Sequence, residues 1–208
     1  MENSIMIEEK ITSYLEKLSS SMPAPGGGAA SALAGAEGIS LLLMVTNLTI
    51  GKKKYEEFEV HNILMREKAL NIMNKLAAGI DNDKEAFLGV AAAYKLPKGS
   101  EEEKVIRKGA ISEASIIAGQ APLDVIEQSV EGLEIARELI GKSNPNLIDD
   151  VYTGTILLKA CIDGSKVNVK ANTPFILDRA LAEEMDDRCK MLTEKAEARY
   201  REIIKKLD

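Results

Sequence analysis

The sequence has one histidine, His61, no tryptophan, and aromatic residues make up only 4% of its 208 positions. With a single histidine, the composition excludes a His pair, a Ser/His/Asp triad and a His-rich metal site. His61 lies in a helical pattern beside charged residues, where a structural or solvent-facing role is the usual one. The two cysteines, Cys161 and Cys189, form no CxxC pair, so a redox or zinc motif is not expected.

The sequence also has no excess of basic residues. The net charge is -6, and the acidic residues are spread along helical stretches, which argues against binding of nucleic acid or of an anionic membrane. The most apolar stretch, 29–45, is interrupted by Glu37 and is rich in glycine and serine, so we interpret it as a core helix. The start of the chain lacks a signal-type pattern, and we expect a cytoplasmic protein.

The remaining composition is typical of a helical protein. Hydrophobic residues make up 45% of the chain and charged residues 29%, and no useful strand-like alternation appears. The core must therefore be built from aliphatic side chains, which favours an all-α fold. We predict one domain over residues 1–208 with about six to eight helices.

Periodicity and capping signals give the helix boundaries. Ser100 and Glu103 form a capping box, Gly51 stops the second helix, and Pro122 is expected to divide one long stretch into two helices. Gly79 is a possible interruption of the long periodic stretch. The predicted helices cover 6–18, 29–50, 56–94, 100–121, 123–140, 150–163 and 174–206, with 164–173 as a short connecting segment.

Two segments could bind a ligand. Pro25 and the three glycines Gly26, Gly27 and Gly28 lead into a helix N-terminus, whose free N–H groups can bind an anion or a carbonyl. A tight helix–helix turn explains the same residues equally well. The lysines at 52–54 form the only dense positive cluster and could bind carboxylates or phosphates, although such runs are more often solvated loops.

Without a histidine pair, acid–base chemistry must come from carboxylates, lysines or tyrosine. Asp83 and Asp150 are candidates, but each is also explained as a helix cap. Glu37 could face solvent, pair with a lysine or line a pocket. Asn168 and Asn172, four residues apart, could present amides to a heterocycle or satisfy the backbone of a turn.

Two linked motifs carry a family resemblance. Residues 23–32 read PAPGGGAASA and residues 44–55 read MVTNLTIGKKKY. At that spacing they resemble the cyclodeaminase/cyclohydrolase family, which includes the C-terminal domain of formiminotransferase-cyclodeaminase and stand-alone bacterial cyclohydrolases. The resemblance covers nearly the whole chain, with further matches at 83–87, 93–98, 121–123, 146–150 and 168–172. The chain departs from the family pattern at Glu37, Asp149, Ala171 and Thr173.

The resemblance implies an open antiparallel helical bundle, a homodimer or larger homo-oligomer, no metal, and no cofactor beyond a tetrahydrofolate substrate. The implied activity is methenyltetrahydrofolate cyclohydrolase. Formimidoyltetrahydrofolate cyclodeaminase is one alternative, with ammonia as the leaving group, and a non-catalytic folate-binding or assembly module is another.

The resemblance also suggests roles for residues. Asp150 or Asp83 would orient water or handle the proton, while Lys53 and Tyr55 would steer polar groups at the one-carbon bridge. Lys52 or Lys54 would meet the glutamate tail of the folate. The remaining candidates for substrate binding are the loop from Pro25 through Gly26 and Gly27 to Gly28, together with Asn47, Thr49, Asn168 and Asn172.

Overall fold

The computed structural model describes residues 5–206, and within this range the chain forms helices and no strands. The predicted all-α fold is therefore confirmed. The six α-helices are α1 (Ile11–Leu18), α2 (Gly27–Thr49), α3 (Glu59–Tyr94), α4 (Glu101–Leu139), α5 (Ile148–Asn172) and α6 (Arg179–Ile204). Short 3₁₀ turns lie at Met6–Glu8, Lys53–Phe58, Pro145–Leu147 and Thr173–Phe175.

Helix α2 packs against α3, α4 and α5 at the centre of the bundle. Close approach to α5 depends on two glycines, because a Cβ on Gly38 would lie 2.8 Å from the carbonyl oxygen of Gly154 and one on Gly154 would lie 2.7 Å from that of Gly38. Further toward the N-terminus of α2, Gly35 faces Cys161. The two helices are thus antiparallel, and the start of α2 lies beside the end of α5.

By length and composition, α2 is the one helix among the described residues that could cross a membrane, and 56% of its most apolar window is buried inside the bundle. Its buried side chains include Ile39, Leu42 and Val45. A core helix of a globular bundle has these properties too. The interpretation of 29–45 as a core helix agrees with this packing.

The predicted helix boundaries are wrong at several positions, and α6 begins at Arg179 rather than at residue 174. Residues 6–18 do not form one helix, since a 3₁₀ turn at Met6–Glu8 precedes α1 and its Met6 N–H donates to the Asp81 carboxylate at 3.0 Å. Helix α4 continues through Pro122. Helix α5 continues through 164–172, because Gly164 serves a close contact with Ser31 and does not end the helix. Gly79 likewise does not interrupt α3, where it packs against Val125 and Ala32.

Candidate functional site

A cavity of about 390 Å³ opens where the N-terminus of α2 meets α3, α4 and the C-terminus of α5. Its rim is formed by Pro23, Ala24 and Gly26 before α2 and by Gly27 and Gly28 in the first turn of α2. Pro25 is buried and is not among the lining residues. Its polar groups are Asp83, Asn168 and Asn172. The structure therefore brings together the glycine loop, one of the two candidate carboxylates and both candidate amides.

Asp83 lies directly at the N-terminus of α2. Its Oδ2 accepts a hydrogen bond of 2.9 Å from the Ala29 N–H, one of the donors that a helix start leaves without an intrahelical partner. Burial raises the pKa of the Asp83 carboxyl above its usual range, and the bond from Ala29 opposes this rise only in part. A half-buried carboxyl with a raised pKa is a stronger base than an exposed aspartate, which suits it to accept and return a proton.

The apolar wall of the cavity comes from the same face of α3 that carries Asp83. Phe87, Val90 and Tyr94 follow Asp83 at steps of four, three and four residues, so all four side chains project from one side of the helix. Phe175 also lines the cavity, and its ring packs edge-to-face with Tyr94 at a centroid distance of 6.5 Å. Sequence reasoning missed these residues, although the helical spacing from Asp83 could have indicated them.

The two asparagines lie one helical turn apart on α5. Asn172 Nδ2 donates to the carbonyl oxygens of Ala118 at 3.2 Å and Asn168 at 2.9 Å, and Asn168 Nδ2 donates to Gly164 at 2.9 Å. Because the partners are carbonyl oxygens, only the NH₂ groups can face them. The Oδ1 atoms are left as acceptors for N–H groups of a ligand in the cavity.

Tyr14 is a buried residue that sequence reasoning did not select. Only 6% of its surface is exposed, and its hydroxyl has no hydrogen-bond partner among residues 5–206. Burial, and then the charges of Asp83 and Glu37, raise the pKa of its phenol. Tyr14 thus contributes a neutral, unpaired hydroxyl to the electrostatic surroundings of Asp83, while Glu37 itself is exposed.

A cationic groove of about 560 Å³ adjoins the cavity and shares Tyr94 and Phe175 with it. All the charged residues that line this groove are cations, although the net charge of the whole chain is -6. Arg107 is fixed by donation to the Tyr94 carbonyl at 3.1 Å, which holds the guanidinium without neutralising it. The cationic side chains of the groove are Lys98, Lys104, Arg107, Lys108 and Arg179.

The lysine cluster lies at the other end of α2. A helix of 23 residues is about 35 Å long, and Gly51 to Lys54 follow its C-terminus. Lys52 and Lys53 line a shallow surface hollow, and the Tyr55 hydroxyl donates to Asn144 Oδ1 at 2.8 Å. Within one copy of the chain, this cluster does not contribute to the cavity at Asp83.

The remaining predicted residues also lie outside the Asp83 cavity. Asn47 is exposed and Thr49 is buried, where its hydroxyl accepts from the Asn144 N–H at 3.0 Å. Asp150 lies in the first turn of α5, away from the cavity. His61 bonds the Glu138 carbonyl through Nε2 at 3.1 Å, in agreement with a structural role. The substrate roles suggested for Asn47, Thr49, Lys52, Lys53, Lys54, Tyr55 and Asp150 stay predictions.

Among residues 5–206, no group of three or more His, Cys, Asp or Glu side chains is arranged to hold a metal ion. The polar groups available at the cavity are thus a carboxylate, two amides, backbone N–H groups and the neighbouring cations. Such a set can bind an uncharged or cationic heterocycle, with an anionic substituent directed to the groove, and can move a proton at Asp83.

The known proteins to which this chain is similar are named as folate cyclohydrolases or cyclodeaminases. Residues 10–191 match the family described as formiminotransferase-cyclodeaminase. The methenyltetrahydrofolate cyclohydrolase of Methylorubrum extorquens is 40% identical over 176 residues, which is 85% of each chain. The formimidoyltransferase-cyclodeaminase of Rattus norvegicus is 23% identical over 98% of this chain, which spans only 38% of that protein.

The fold has a solved counterpart. A crystal structure of formiminotetrahydrofolate cyclodeaminase from Thermotoga maritima superposes with a TM-score of 0.86, at 28% sequence identity and 95% coverage of both chains. The helical architecture described above is therefore shared over nearly the full length of the two chains.

Proposed function

The chain belongs to the formiminotransferase-cyclodeaminase family, and on this premise we propose that it is a methenyltetrahydrofolate cyclohydrolase, which converts 5,10-methenyltetrahydrofolate and water to 10-formyltetrahydrofolate. The observation that carries the proposal is the 40% identity, over 85% of both chains, with a methenyltetrahydrofolate cyclohydrolase. The cyclodeaminase relatives that match over 92% to 98% of this chain are 23% to 28% identical.

The reaction needs one group that accepts and returns a proton. Water attacks the electrophilic carbon between N5 and N10, its oxygen becomes the formyl oxygen, and the bond from that carbon to N5 breaks. One water proton ends on N5 and the other is released. Ionised Asp83 accepts a proton from the attacking water and returns it to N5, a task that suits its raised pKa and its place in the cavity.

The cavity and the groove divide the substrate between them. The pyrimidine ring of a pterin carries N–H groups that can donate hydrogen bonds to the Oδ1 atoms of Asn168 and Asn172. Phe87 and Phe175 offer apolar surface to the rings. The glutamate of the substrate carries two carboxylates, which the adjoining cationic groove attracts. This arrangement supports Lys98, Arg107 and Lys108 as tail contacts, where the sequence suggested Lys52 or Lys54. Lys104 also lines the groove but is already paired with Glu101 at 2.6 Å.

The test is the loss of methenyl absorbance, corrected for the uncatalysed rate. We expect Asp83→Asn to lower kcat by about 10²- to 10⁴-fold. The matched control is Asp81→Asn, because Asp81 lies on the same helix and also accepts from a backbone N–H but does not line the cavity. An Asp83→Asn enzyme as active as Asp81→Asn would refute the role of Asp83. A selective loss in Asp150→Asn would indicate a site completed by a second copy.

Cyclodeaminase activity is the second candidate, favoured by the Thermotoga maritima structure and its TM-score of 0.86. Here N10 attacks the formimino carbon on N5 and ammonia leaves, so Asp83 would protonate the departing amine. Ammonia release from formiminotetrahydrofolate, measured on the same preparation, distinguishes the two activities. Folate binding without turnover of either substrate would support the remaining alternative, a non-catalytic folate-binding module.

We further propose a homo-oligomer that needs no cofactor beyond tetrahydrofolate and works in the cytoplasm. Supporting an oligomer, Met44 and Leu48 on α2 are 36% and 45% exposed, so an apolar helix face is not covered within one copy. Supporting a reducing compartment, Cys161 and Cys189 are both free thiols. Sedimentation velocity, run with and without folate, measures the oligomeric state.

A further inference from the structure

Pro122 lies in the interior of α4, where it interrupts the helical hydrogen bonds. In a regular α-helix the N–H of residue 122 would donate to the carbonyl oxygen of residue 118, but proline has no N–H and its ring pushes that carbonyl aside. The Ala118 carbonyl is therefore left without its helical donor. Both residues are in the described range, and Ala118 also lines the Asp83 cavity.

Asn172 supplies the missing donor. Its Nδ2 lies 3.2 Å from the Ala118 oxygen and 2.9 Å from the oxygen of Asn168, so both amide hydrogens are used. A close approach of the two helices makes this possible, because the Cβ of Asn172 lies 3.7 Å from the position that a Cβ on Gly119 would take. The proline and the asparagine thus form one unit, joined through a single carbonyl group.

This unit fixes the orientation of the amide. With both Nδ2 hydrogens held by carbonyl oxygens, Asn172 cannot flip without leaving an acceptor facing two acceptors. No donor among residues 5–206 bonds its Oδ1. The oxygen is therefore held as an acceptor at a residue that lines the cavity, before any ligand binds, which reduces the entropy lost on binding.

We infer that Pro122 is a positioning residue for ligand recognition: by freeing the Ala118 carbonyl, it anchors the Asn172 amide as an acceptor for an N–H group on the pterin ring. The inference rests on the proposed function for the identity of the ligand. Pro122 thus costs α4 one helical hydrogen bond, and in return the Ala118 carbonyl is free to hold the Asn172 amide. A proline with a purely structural role would not affect the orientation of that amide.

The substitution Pro122→Ala separates the two roles. It restores an N–H that bonds Ala118 within the helix and removes the demand for Asn172. We expect the melting temperature to stay the same or rise, because alanine is the better helix former. We expect KM for methenyltetrahydrofolate to rise about three- to tenfold, which corresponds to the loss of one hydrogen bond to the substrate. We expect kcat to change much less, because this hydrogen bond is made equally in the ground state and in the transition state.

A double-mutant cycle tests the coupling. Asn172→Ala should raise KM by a similar factor, and Pro122→Ala added to Asn172→Ala should change KM no further. Gly109→Ala is the control for a more helical α4, because a Cβ there meets no atom within 4 Å. The exchange rate of the Asn172 side-chain NH₂, followed by NMR, should rise in Pro122→Ala and not in Gly109→Ala, which reports the anchor independently of turnover.

Several outcomes would overturn the inference: an unchanged KM in Pro122→Ala, additive effects in the double variant, or a rise in KM that is matched by Gly109→Ala. A lower melting temperature together with unchanged exchange of the Asn172 amide would assign Pro122 to packing alone. Failure of the wild-type protein to bind or convert any tetrahydrofolate derivative would instead refute the proposed function, and the ligand role of Pro122 with it.

Discussion

The Asp83 carboxylate occupies the space that a side chain on Gly28 would need, since a methyl group there would overlap with Asp83 Oδ1. The other two glycines of the loop differ, because a Cβ on Gly26 or Gly27 would meet no atom within 4 Å. The third glycine therefore serves the close approach of the Asp83 carboxyl to the helix N-terminus. The first two leave open space at the rim of the cavity.

Substitution of Gly28 by alanine should displace Asp83 from the Ala29 N–H. The carboxylate is the movable partner, so we expect the protein to fold and kcat/KM to fall by about 100-fold, as for other small misplacements of a catalytic group. The control is Gly89→Ala on α3, where a Cβ meets no atom within 4 Å and alanine should stabilise the helix by about 0.5–1 kcal/mol. Kinetics and urea unfolding of both variants measure the two effects. Equal activity of the two would contradict the prediction.

The raised pKa of Asp83 predicts the pH profile. A general base acts in its ionised form, so kcat/KM should fall as the pH drops through the pKa of Asp83 in the free enzyme. Because burial raises that pKa above the usual 3.8, the acid limb should lie above the range of an exposed aspartate. The residual activity of Asp83→Asn, measured over the same pH range, should lack this limb. A limb that persists in the variant would assign the titration to another group.

The predictability of the fold differs from one helix to the next. Aliphatic periodicity and the Ser100–Glu103 capping box correctly predicted where α4 begins, and both hydrogen bonds of that box are present. Its continuation through Pro122 was not predictable, because the compensating donor comes from Asn172, 50 residues along the chain. Gly164 misled for a related reason, since its small size serves a contact with α2 that local sequence does not reveal.

The candidate site was predictable where polar residues stand in unusual surroundings. Asp83 and the amides of Asn168 and Asn172 were selected on chemistry and resemblance, and they line one cavity. Tyr14 was not selected, because nothing in its sequence context marks a buried hydroxyl without a partner. The lysines at 52–54 were grouped with the glycine loop by motif, whereas the length of α2 separates the two segments within one chain.

The contact between Gly38 and Gly154 should be sensitive to a single methyl group. A Cβ on Gly38 would lie 2.8 Å from the Gly154 carbonyl oxygen, and a backbone atom between two packed helices cannot move aside cheaply. We expect Gly38→Ala to lower the free energy of unfolding by about 1–3 kcal/mol, whereas Gly109→Ala, with open space around it, should raise it by about 0.5–1 kcal/mol. Urea denaturation of both provides the comparison, and a stabilised Gly38→Ala would show that α2 and α5 lie farther apart.

The hydroxyl of Tyr14 is buried without a partner in residues 5–206, so Tyr14→Phe should remove a desolvated polar group without creating a cavity. We expect the free energy of unfolding at neutral pH to rise by about 1 kcal/mol. Because the folded-state pKa of Tyr14 is raised above 10.0, wild-type stability should also decline as the pH rises through that pKa, since the unfolded chain loses the proton first.

In Tyr14→Phe this alkaline decline should be reduced, because phenylalanine has no proton to lose. Urea unfolding at pH 7 and over the alkaline range measures both effects on the same pair of proteins. Tyr200→Phe is the control, because Tyr200 is a tyrosine on α6 for which the structure gives only partial burial. If Tyr14→Phe instead lowers stability at neutral pH, the hydroxyl has a bonded partner in solution, and Tyr14 then anchors α1 to the cavity that contains Asp83.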